Sequence, residues 1–149
     1  MSLQDLQKSI DESIAKASGF TKDLFQDNHW NATQLQEYAN SDGTMTIATL
    51  ARDGRPHTAI VASGCVDGTF YIGVTPRTAL LGNLRRNPDL AFSVKDKVVG
   101  RGRAELAGRA GEVKHLSPAI GETLRAAIDA GWPGYVFAIR PERVFAQAA

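Results

Sequence analysis

A small polar cluster stands where a predicted strand gives way to a predicted helix. Thr75, Pro76, Arg77 and Thr78 follow the strand-like run TFYIGV and lead into the helix-like run RTALLGNLRRN. A helix N-terminus offers unpaired N–H groups and a partial positive charge, and Arg77 and the threonines add further donors, a set that suits a phosphate. The spacing alone favours the simpler interpretation, in which Thr75 or Thr78 caps the helix and Arg77 is solvated.

The remaining reactive side chains form no catalytic pattern. His29, His57 and His115 are scattered without the spacing of metal ligands, so we predict no metal site. Ser63 precedes Gly-Cys but has no identifiable His and Asp partners, which argues against a hydrolase triad. The run GRGRAELAG lacks the Lys-Ser/Thr end of a phosphate loop and is better interpreted as a bulged strand.

Composition describes an ordinary globular protein. The chain has 149 residues, of which 43% are hydrophobic and 22% charged, which suits one domain with its own core. No apolar run approaches the roughly 18 residues of a membrane helix, and the charged N-terminus lacks a signal-peptide apolar region. We therefore predict a cytoplasmic protein that does not enter membranes. The single cysteine, Cys65, excludes an internal disulfide.

Charge is distributed unevenly along the chain. The net charge of +1 gives no argument for nucleic acid. Residues 1–43 hold three Lys and seven Asp or Glu, whereas residues 77–103 hold seven Lys or Arg and two Asp. The basic segment could attract a phosphate or another small anion, or it could pair with the acidic N-terminal segment. Charge alone leaves both interpretations open.

Helices are predicted at both flanks. Apolar residues at helical spacing indicate a first helix ended by Gly19, and a short second helix covers TQLQEYA, so residues 1–43 form a helical extension. The run GEVKHLSPAIGETLRAAIDAG predicts a later helix broken at Ser117-Pro118. In the middle of the chain, RTALLGNLRRN is predicted to bury Leu80, Leu81 and Leu84 and to stop at Pro88.

The remaining segments are predicted strands. TMTIATLA, PHTAIVASGCV and TFYIGV are joined by the tight turns RDGR and DG and predict an antiparallel meander. LAFSVK and VVGRGRAELAG predict a second hairpin, with a bulge or close backbone approach at Gly100 and Gly102. GYVFAIRPERVFAQAA predicts two short strands around RPER. Six or seven antiparallel strands need to close into a ring to hide their edges, which favours a small barrel. Trp132 could cover a planar cofactor at the mouth of that barrel, although packing in the core or under a lid is the commoner role of a tryptophan.

The ordered run from Thr44 to Ala146 resembles the FMN-binding split-barrel family, whose eponym is pyridoxamine 5′-phosphate oxidase. The resemblance is carried by TIATLARDGRPHTAIV, GTFYIGVTPRT, NLRRNPDLAFSV, VVGRGRAEL and FAIRPERVFA. It implies a mainly β fold with flanking helices, a six-stranded antiparallel split β-barrel over residues 44–149 that works as a homodimer. FMN would lie in two symmetric grooves between the subunits.

The resemblance also implies where FMN would bind. Its phosphate would lie near Thr75 to Thr78, and its ring along the second strand from Ile60 to Ser63. The partner subunit would add contacts from Lys97 to Arg101 and from Trp132. The expected cofactor-binding residues are Arg55, Ile60, Val61, Ala62, Ser63, Thr75, Arg77, Thr78, Lys97, Arg101 and Trp132.

The sequence departs from the family at three cationic positions. An Arg and a Lys of the second strand align with Ala59 and Gly64, and a Lys after the Ser or Thr aligns with Leu80. Arg77 could replace one cation, and a second could come from Arg55, Arg85 or Arg86. The C-terminal substrate-binding sequence of the oxidase is missing, so pyridoxamine phosphate oxidation itself is not expected.

The resemblance therefore implies an oxidoreductase in which FMN passes electrons between a reduced nicotinamide or small organic substrate and an acceptor. The only acid or base candidates are His57 and Tyr71. Two alternatives stay open. The same fold could bind a deazaflavin or haem, with His29 or His115 as haem ligand, or the protein could hold flavin without turnover, as a binding or stress-response protein.

Overall fold

The computed structural model describes residues 1–147 and places six antiparallel strands in one closed barrel. The strands lie in the order β1-β2-β3-β6-β5-β4, and β4 pairs with β1 to close the ring. This confirms the predicted mainly β fold and fixes the strand number at six. The strands are β1 (Thr44–Leu50), β2 (Pro56–Val66), β3 (Thr69–Val74), β4 (Asp89–Val94), β5 (Val98–Arg109) and β6 (Tyr135–Ala146).

The barrel interior is filled by alternate residues of the strands, as the period of two requires. Met45 and Ile47 of β1 and Ile72 of β3 are at most 1% exposed. Phe70 and Phe92 meet across the interior with ring centroids 5.5 Å apart. The hydrophobic alternation of the sequence therefore predicts the inward face correctly.

Within the described residues 1–147, five helices flank the barrel: α1 (Leu3–Ala15), α2 (Gly19–Gln26), α3 (Ala32–Asp42), α4 (Ala79–Arg86) and α5 (Glu122–Asp129). Capping boxes begin α1 at Ser2 and α3 at Asn31. Leu6, Ile10 and Leu35 of the N-terminal helices are fully buried in the same cluster as the strand side chains. The helical extension thus contributes to the core of the barrel.

Three sequence predictions about helices and strands are corrected. Gly19 begins α2 rather than ending α1, because Ser18 is extended and lets the chain restart after Ala15. The predicted helix over residues 111–131 is reduced to two short 3₁₀ turns followed by α5, which begins after Gly121. The last two predicted strands are one continuous strand, β6.

Strand β6 tolerates its proline because the β5–β6 ladder is irregular there. The register shifts between Arg101 and Gly102, where Pro141 lies opposite Gly102. A Cβ on Gly102 would overlap the carbonyl of Arg140, and one on Gly100 would lie 2.6 Å from the carbonyl oxygen of Arg143. The predicted close approach of backbones at these two glycines is confirmed.

Candidate functional site

An open groove of about 530 Å³ runs along the outer face of β2, bounded by the start of α4 and by α5. It is open on one side, where the Ile60 side chain is 77% exposed. Its walls come from segments far apart in sequence. They are residues 57–62 of β2, Gly73, Thr75, Thr78, Ala79, Leu80, Leu124, Ala127 and Trp132.

The groove exists because β2 separates from β3. Strand β2 pairs with β1 from Pro56 to Ala62, but among the described residues it pairs with β3 only from Ser63 onward. Residues 56–62 therefore present an unpaired strand edge towards the β3 side. Backbone N–H and C=O groups on such an edge are strong hydrogen-bonding groups that seek partners. A flat ligand with donors and acceptors along one edge could satisfy them.

The polar cluster at the end of β3 forms a tight turn into α4. Thr78 is the N-cap: its hydroxyl donates to the Thr75 carbonyl at 2.8 Å and accepts from the Leu81 N–H at 3.3 Å. The simpler interpretation of Thr78 as a helix cap is confirmed. Because its only hydroxyl proton is used, Thr78 has no side-chain donor left for an anion. The N–H groups of Ala79 and Leu80, the first two of the helix, have no intrahelical acceptor and lie at the groove.

Arg77 occupies a left-handed conformation, with φ of 63°. Such a conformation costs a non-glycine residue about 1–2 kcal/mol and is found at functional sites more often than elsewhere. Arg77 lines a second hollow, of about 520 Å³, which lies beside the groove and shares Thr78 with it. The structure thus separates Arg77 from the groove-lining residues of its own cluster.

Trp132 forms one wall of the groove in its own protomer. The expectation from the resemblance that the partner's Trp132 adds a contact stays a prediction. A Cβ on Gly134 would overlap the indole, and one on Gly73 would lie 3.1 Å from its Cη2 atom. The backbone N–H of Trp132 donates to the Ala127 carbonyl at 3.1 Å. The indole lies close against Gly73 and Gly134. Its position depends on these two glycines having no side chain.

The four predicted positions on β2 divide between two faces. Ile60 and Ala62 face outward, whereas the side chains of Val61 and Ser63 are 8% and 1% exposed and belong to the barrel side. The Ser63 N–H donates to the Gly43 carbonyl at 2.9 Å. Its buried hydroxyl has no hydrogen-bond partner among the described residues. Val61 borders the groove, and Ser63 lies beyond its lining.

His57 is the one titratable residue among those that line the groove. Its Nδ1 atom is buried and has no hydrogen-bond partner within residues 1–147. His57 lies opposite Thr49 in the β1–β2 ladder. The Thr49 hydroxyl accepts from Asn83 at 3.1 Å, and the Asn83 side-chain oxygen accepts from Arg86 at 2.6 Å. A buried polar chain therefore leads from α4 to the strand position that faces His57.

The other predicted cofactor contacts lie outside this groove. Arg55 is in the β1–β2 turn, 3.7 Å from Asp53, and Lys97 is in the β4–β5 turn. Arg101 is exposed on β5 and borders a different hollow. Within one protomer the structure does not bring these three cations to the groove. Their assignment as cofactor contacts stays a prediction.

Two further ionisable residues, Cys65 and Tyr71, are not among the residues that line the groove. Burial raises the pKa of the Cys65 thiol to about 12. Burial also raises the pKa of Tyr71, which packs against the cluster around α5. Of the two acid–base candidates, only His57 lies at the groove.

The haem-ligand candidates are also placed elsewhere. His29 Nδ1 is 2.7 Å from the Phe25 carbonyl oxygen, and His115 lies in a 3₁₀ turn before α5. Across residues 1–147 no three His, Cys, Asp or Glu side chains form a group that could hold a metal. In the same range, no helix has the length and apolar character needed to cross a bilayer.

Several groove residues were not identified from the sequence. Gly73, Leu124 and Ala127 line the groove because α5 packs against the space that β3 leaves beside β2. The sequence pattern predicts that α5 has an apolar face, but it carries no signal for which sheet position that face covers. Gly73 gave a local signal, a glycine inside a strand, which is typical of a close approach.

Comparison with known proteins identifies the family. The sequence model of the family described as pyridoxamine 5′-phosphate oxidase matches residues 32–148. No curated protein sequence gives a significant match.

Solved structures agree on the fold. A conserved hypothetical protein of Mycobacterium tuberculosis has a TM-score of 0.62 at 21% identity, over 82% of this chain and 88% of that one. The heme storage protein HutZ of Vibrio cholerae has a TM-score of 0.61 at 18% identity, over 77% and 93%. A FAD-binding protein of Mesorhizobium loti has a TM-score of 0.57 at 20% identity, over 78% and 91%.

Proposed function

Because the chain belongs to the pyridoxamine 5′-phosphate oxidase family, we propose that it is a homodimeric flavin-binding oxidoreductase with FMN in the groove beside β2. The observation that carries the proposal is the unpaired edge of β2 over residues 56–62, which borders a groove that ends at the start of α4. A flavin has the matching shape, with polar atoms along one side of a flat ring and a phosphate on a flexible arm. When bound, it supplies the chemistry of electron or hydride transfer.

The residues at the groove suit such a ligand. The N–H groups of Ala79 and Leu80 and the exposed Thr75 hydroxyl would meet the phosphate at the positive end of α4. The free N–H and C=O groups of β2 would meet the polar edge of the ring, and Trp132 would pack against it. The side chains of Ala59 and Leu80 carry no charge, so we expect phosphate binding to depend mainly on backbone donors.

The proposed partner subunit would close the open side of the groove. The outer faces of four neighbouring strands form a row in register, from Ile60 through Thr46 and Ser93 to Val99. Its ends are apolar and exposed, 77% at Ile60 and 53% at Val99. A second copy covering this face would remove that apolar area from water and bury the groove.

A matched pair of variants tests the dimer. Val99→Arg places a charge on the proposed interface, whereas Leu106→Arg places one on the same strand at a residue of equal exposure, 53% against 52%. We expect Val99→Arg to be monomeric in sedimentation velocity and to lose FMN affinity, and Leu106→Arg to behave as wild type. A wild-type protein that is monomeric at all concentrations would refute the dimer.

The flavin itself is tested by titration of the purified protein with FMN, riboflavin and haem, followed by visible absorbance and flavin fluorescence. We expect saturable binding of one FMN per protomer, and weaker binding of riboflavin because it lacks the phosphate. Anaerobic addition of NADH or NADPH to the FMN complex should then bleach the flavin. FMN binding without reduction by any donor would favour the flavin-holding alternative, and a haem band without flavin binding would refute the proposal.

Two neighbours on this fold are described as binding FAD and storing heme, and the family resemblance adds deazaflavin as an alternative cofactor. The two haem-ligand candidates named from the sequence, His29 and His115, lie away from the groove, whereas His57 lines it. The substrate is not specified by the groove.

A further inference from the structure

Three arginines converge on the hollow beside the groove. Arg77 comes from the turn before α4, Arg85 from the last turn of α4, and Arg109 from the end of β5. Tyr135, the first residue of β6, lies opposite both Val74 and Arg109 in the strand registers. The fold therefore brings three cations from distant segments to one aromatic ring at the end of the barrel.

The Tyr135 ring positions two of the guanidinium groups. The Arg109 Cζ lies 4.8 Å from the ring centroid and the Arg85 Cζ 5.3 Å from it, both within cation–π range. One N–H of Arg109 also donates to the Tyr135 hydroxyl at 3.1 Å. These contacts fix the guanidinium planes but use few of their five N–H donors each. Most of the donors are left for another partner.

No protein anion neutralises the three charges within the part of the chain that the structure describes. The ion pairs found there involve Lys8, Lys95, Arg55, Arg103 and Arg140 instead. The nearby Glu112 carboxylate accepts from the backbone N–H of Arg109 at 2.7 Å and makes no ion pair with its guanidinium. Three like charges without a counter-ion repel one another, so the hollow favours an anionic ligand.

Backbone strain accompanies this arrangement. Arg77 adopts φ of 63°, a conformation in which glycine or asparagine is the usual residue. Strained residues of this kind are often found at ligand sites.

We propose that the hollow lined by Arg77, Arg85, Arg109 and Tyr135 binds a second phosphate of the ligand whose flavin part occupies the groove, so that the site prefers a flavin dinucleotide to FMN. The hollow and the groove have similar volumes, about 520 and 530 Å³, and share Thr78. A ligand with one phosphate at the start of α4 could pass over Thr78 and place the next phosphate among the arginines. Guanidinium forks are the protein groups best matched to phosphate oxygens. This inference rests on the proposed flavin function.

The test compares FAD with FMN on full-length wild type and on two variants. In Arg85→Gln/Arg109→Gln the polar side chains stay but two charges are lost. In Arg77→Gly one charge is lost while the strain at φ of 63° is relieved, so this variant is expected to be at least as stable as wild type. Arg52→Gln, which changes an exposed arginine in the β1–β2 turn, is the matched control.

We expect wild type to bind FAD at least tenfold more tightly than FMN by isothermal titration calorimetry. The double variant and Arg77→Gly should each lose most of that preference, because FAD affinity falls by a larger factor than FMN affinity, with melting temperatures that show intact folding. Arg52→Gln should keep the preference. Pyrophosphate added to the FMN complex should bind in wild type and not in the double variant. If this result is found but FAD shows no preference over FMN, the hollow binds a free anion and not the second phosphate of a dinucleotide.

The outcomes distinguish this inference from the proposed function. If neither flavin binds, the flavin function itself fails. If both flavins bind equally and the arginine variants leave the ratio unchanged, the function stands and the second phosphate site is refuted. If Arg77→Gly weakens FMN as much as FAD, Arg77 contacts the first phosphate, and the present assignment of Arg77 to the hollow is wrong.

Discussion

The first residue of α4 offers a substitution that separates ligand binding from folding. Ala79 is exposed, borders the groove, and supplies one of the two free N–H groups at the proposed phosphate position. The first turn of α4 has no acidic residue. Replacing Ala79 with Glu puts a negative charge where the helix end is positive, which should stabilise the helix by about 0.3–1 kcal/mol. The same charge should repel a bound phosphate.

The repulsion can be estimated from Coulomb's law. A carboxylate and a phosphate dianion roughly 6 Å apart repel by about 1.4 kcal/mol in water and about 5 kcal/mol at an effective dielectric constant of about 20. The lower figure, which treats position 79 as exposed as it is in the protomer, is the minimum and corresponds to about a tenfold loss of affinity. The effect should shrink as salt rises, because exposed charges are screened.

The assay is FMN titration of wild type and Ala79→Glu at low and high salt, with thermal melts of the free proteins. Thr33→Glu provides the matched control, since it adds the same charge to the first turn of α3, an exposed position away from the groove. We expect at least tenfold weaker FMN binding for Ala79→Glu alone, with a melting temperature equal to or above that of wild type. Unchanged FMN affinity at low salt would refute the placement of the phosphate at α4.

Three further predictions concern stability and reactivity. Gly134→Ala should push the Trp132 indole off the groove wall, lowering the melting temperature and shifting the indole fluorescence, and unchanged spectra would contradict the tight packing. Burial of Asp42 opposes ionisation, but hydrogen bonds from Lys95, at 2.8 Å, and from Thr44 outweigh it and hold the pKa of Asp42 below 3.8. The contribution of ionised Asp42 to the free energy of unfolding is therefore present above pH 3.8 and is lost as the pH falls through the lowered pKa. Asp42→Asn should therefore lower the free energy of unfolding by about 1 kcal/mol at pH 7, a modest amount because Lys95 is largely exposed. Near pH 2 the loss measured by denaturant unfolding should be much smaller, because Asp42 is then protonated. The Cys65 thiol, with its pKa raised to about 12 by burial, should resist thiol reagents at pH 8 in the native protein and react fully in denaturant; rapid reaction of the native protein would contradict its burial.

The barrel was predictable because its local signals agree with one another. Alternating apolar residues define the strands, and the Asp67-Gly68 turn adopts φ of 49° and 79°, the conformation that Asp-Gly favours between antiparallel strands. The spacing of its leucines likewise predicted the helix α4, and Pro88 predicted where it ends. These features depend on residues within a few positions of one another, which is the range over which a sequence pattern carries structural information.

The details of the site were less predictable, because they depend on contacts between distant segments. The length of the unpaired edge of β2 depends on where β3 stops pairing with β2, and no residue in β2 itself indicates that position. Arg77 and Thr78 are neighbours in sequence, yet the positive φ of Arg77 places them differently towards the groove. Trp132 lines the groove of its own protomer because its indole packs against Gly73 and Gly134, and no signal near Trp132 in the sequence indicates these contacts.

Asn40, at the end of α3, links the N-terminal helices to the groove. Its side-chain oxygen accepts from the Cys65 N–H at 2.7 Å and from the Gly121 N–H at 3.1 Å, and its nitrogen donates to the Cys65 carbonyl at 2.8 Å. One amide thus ties β2 to the residue that precedes α5. A side chain on Gly64 would overlap Ile120. Because Gly64 has none, the loop before α5 can lie directly on β2. Because α5 carries the Leu124 and Ala127 wall, the helical extension that precedes the barrel helps to determine the width of the groove.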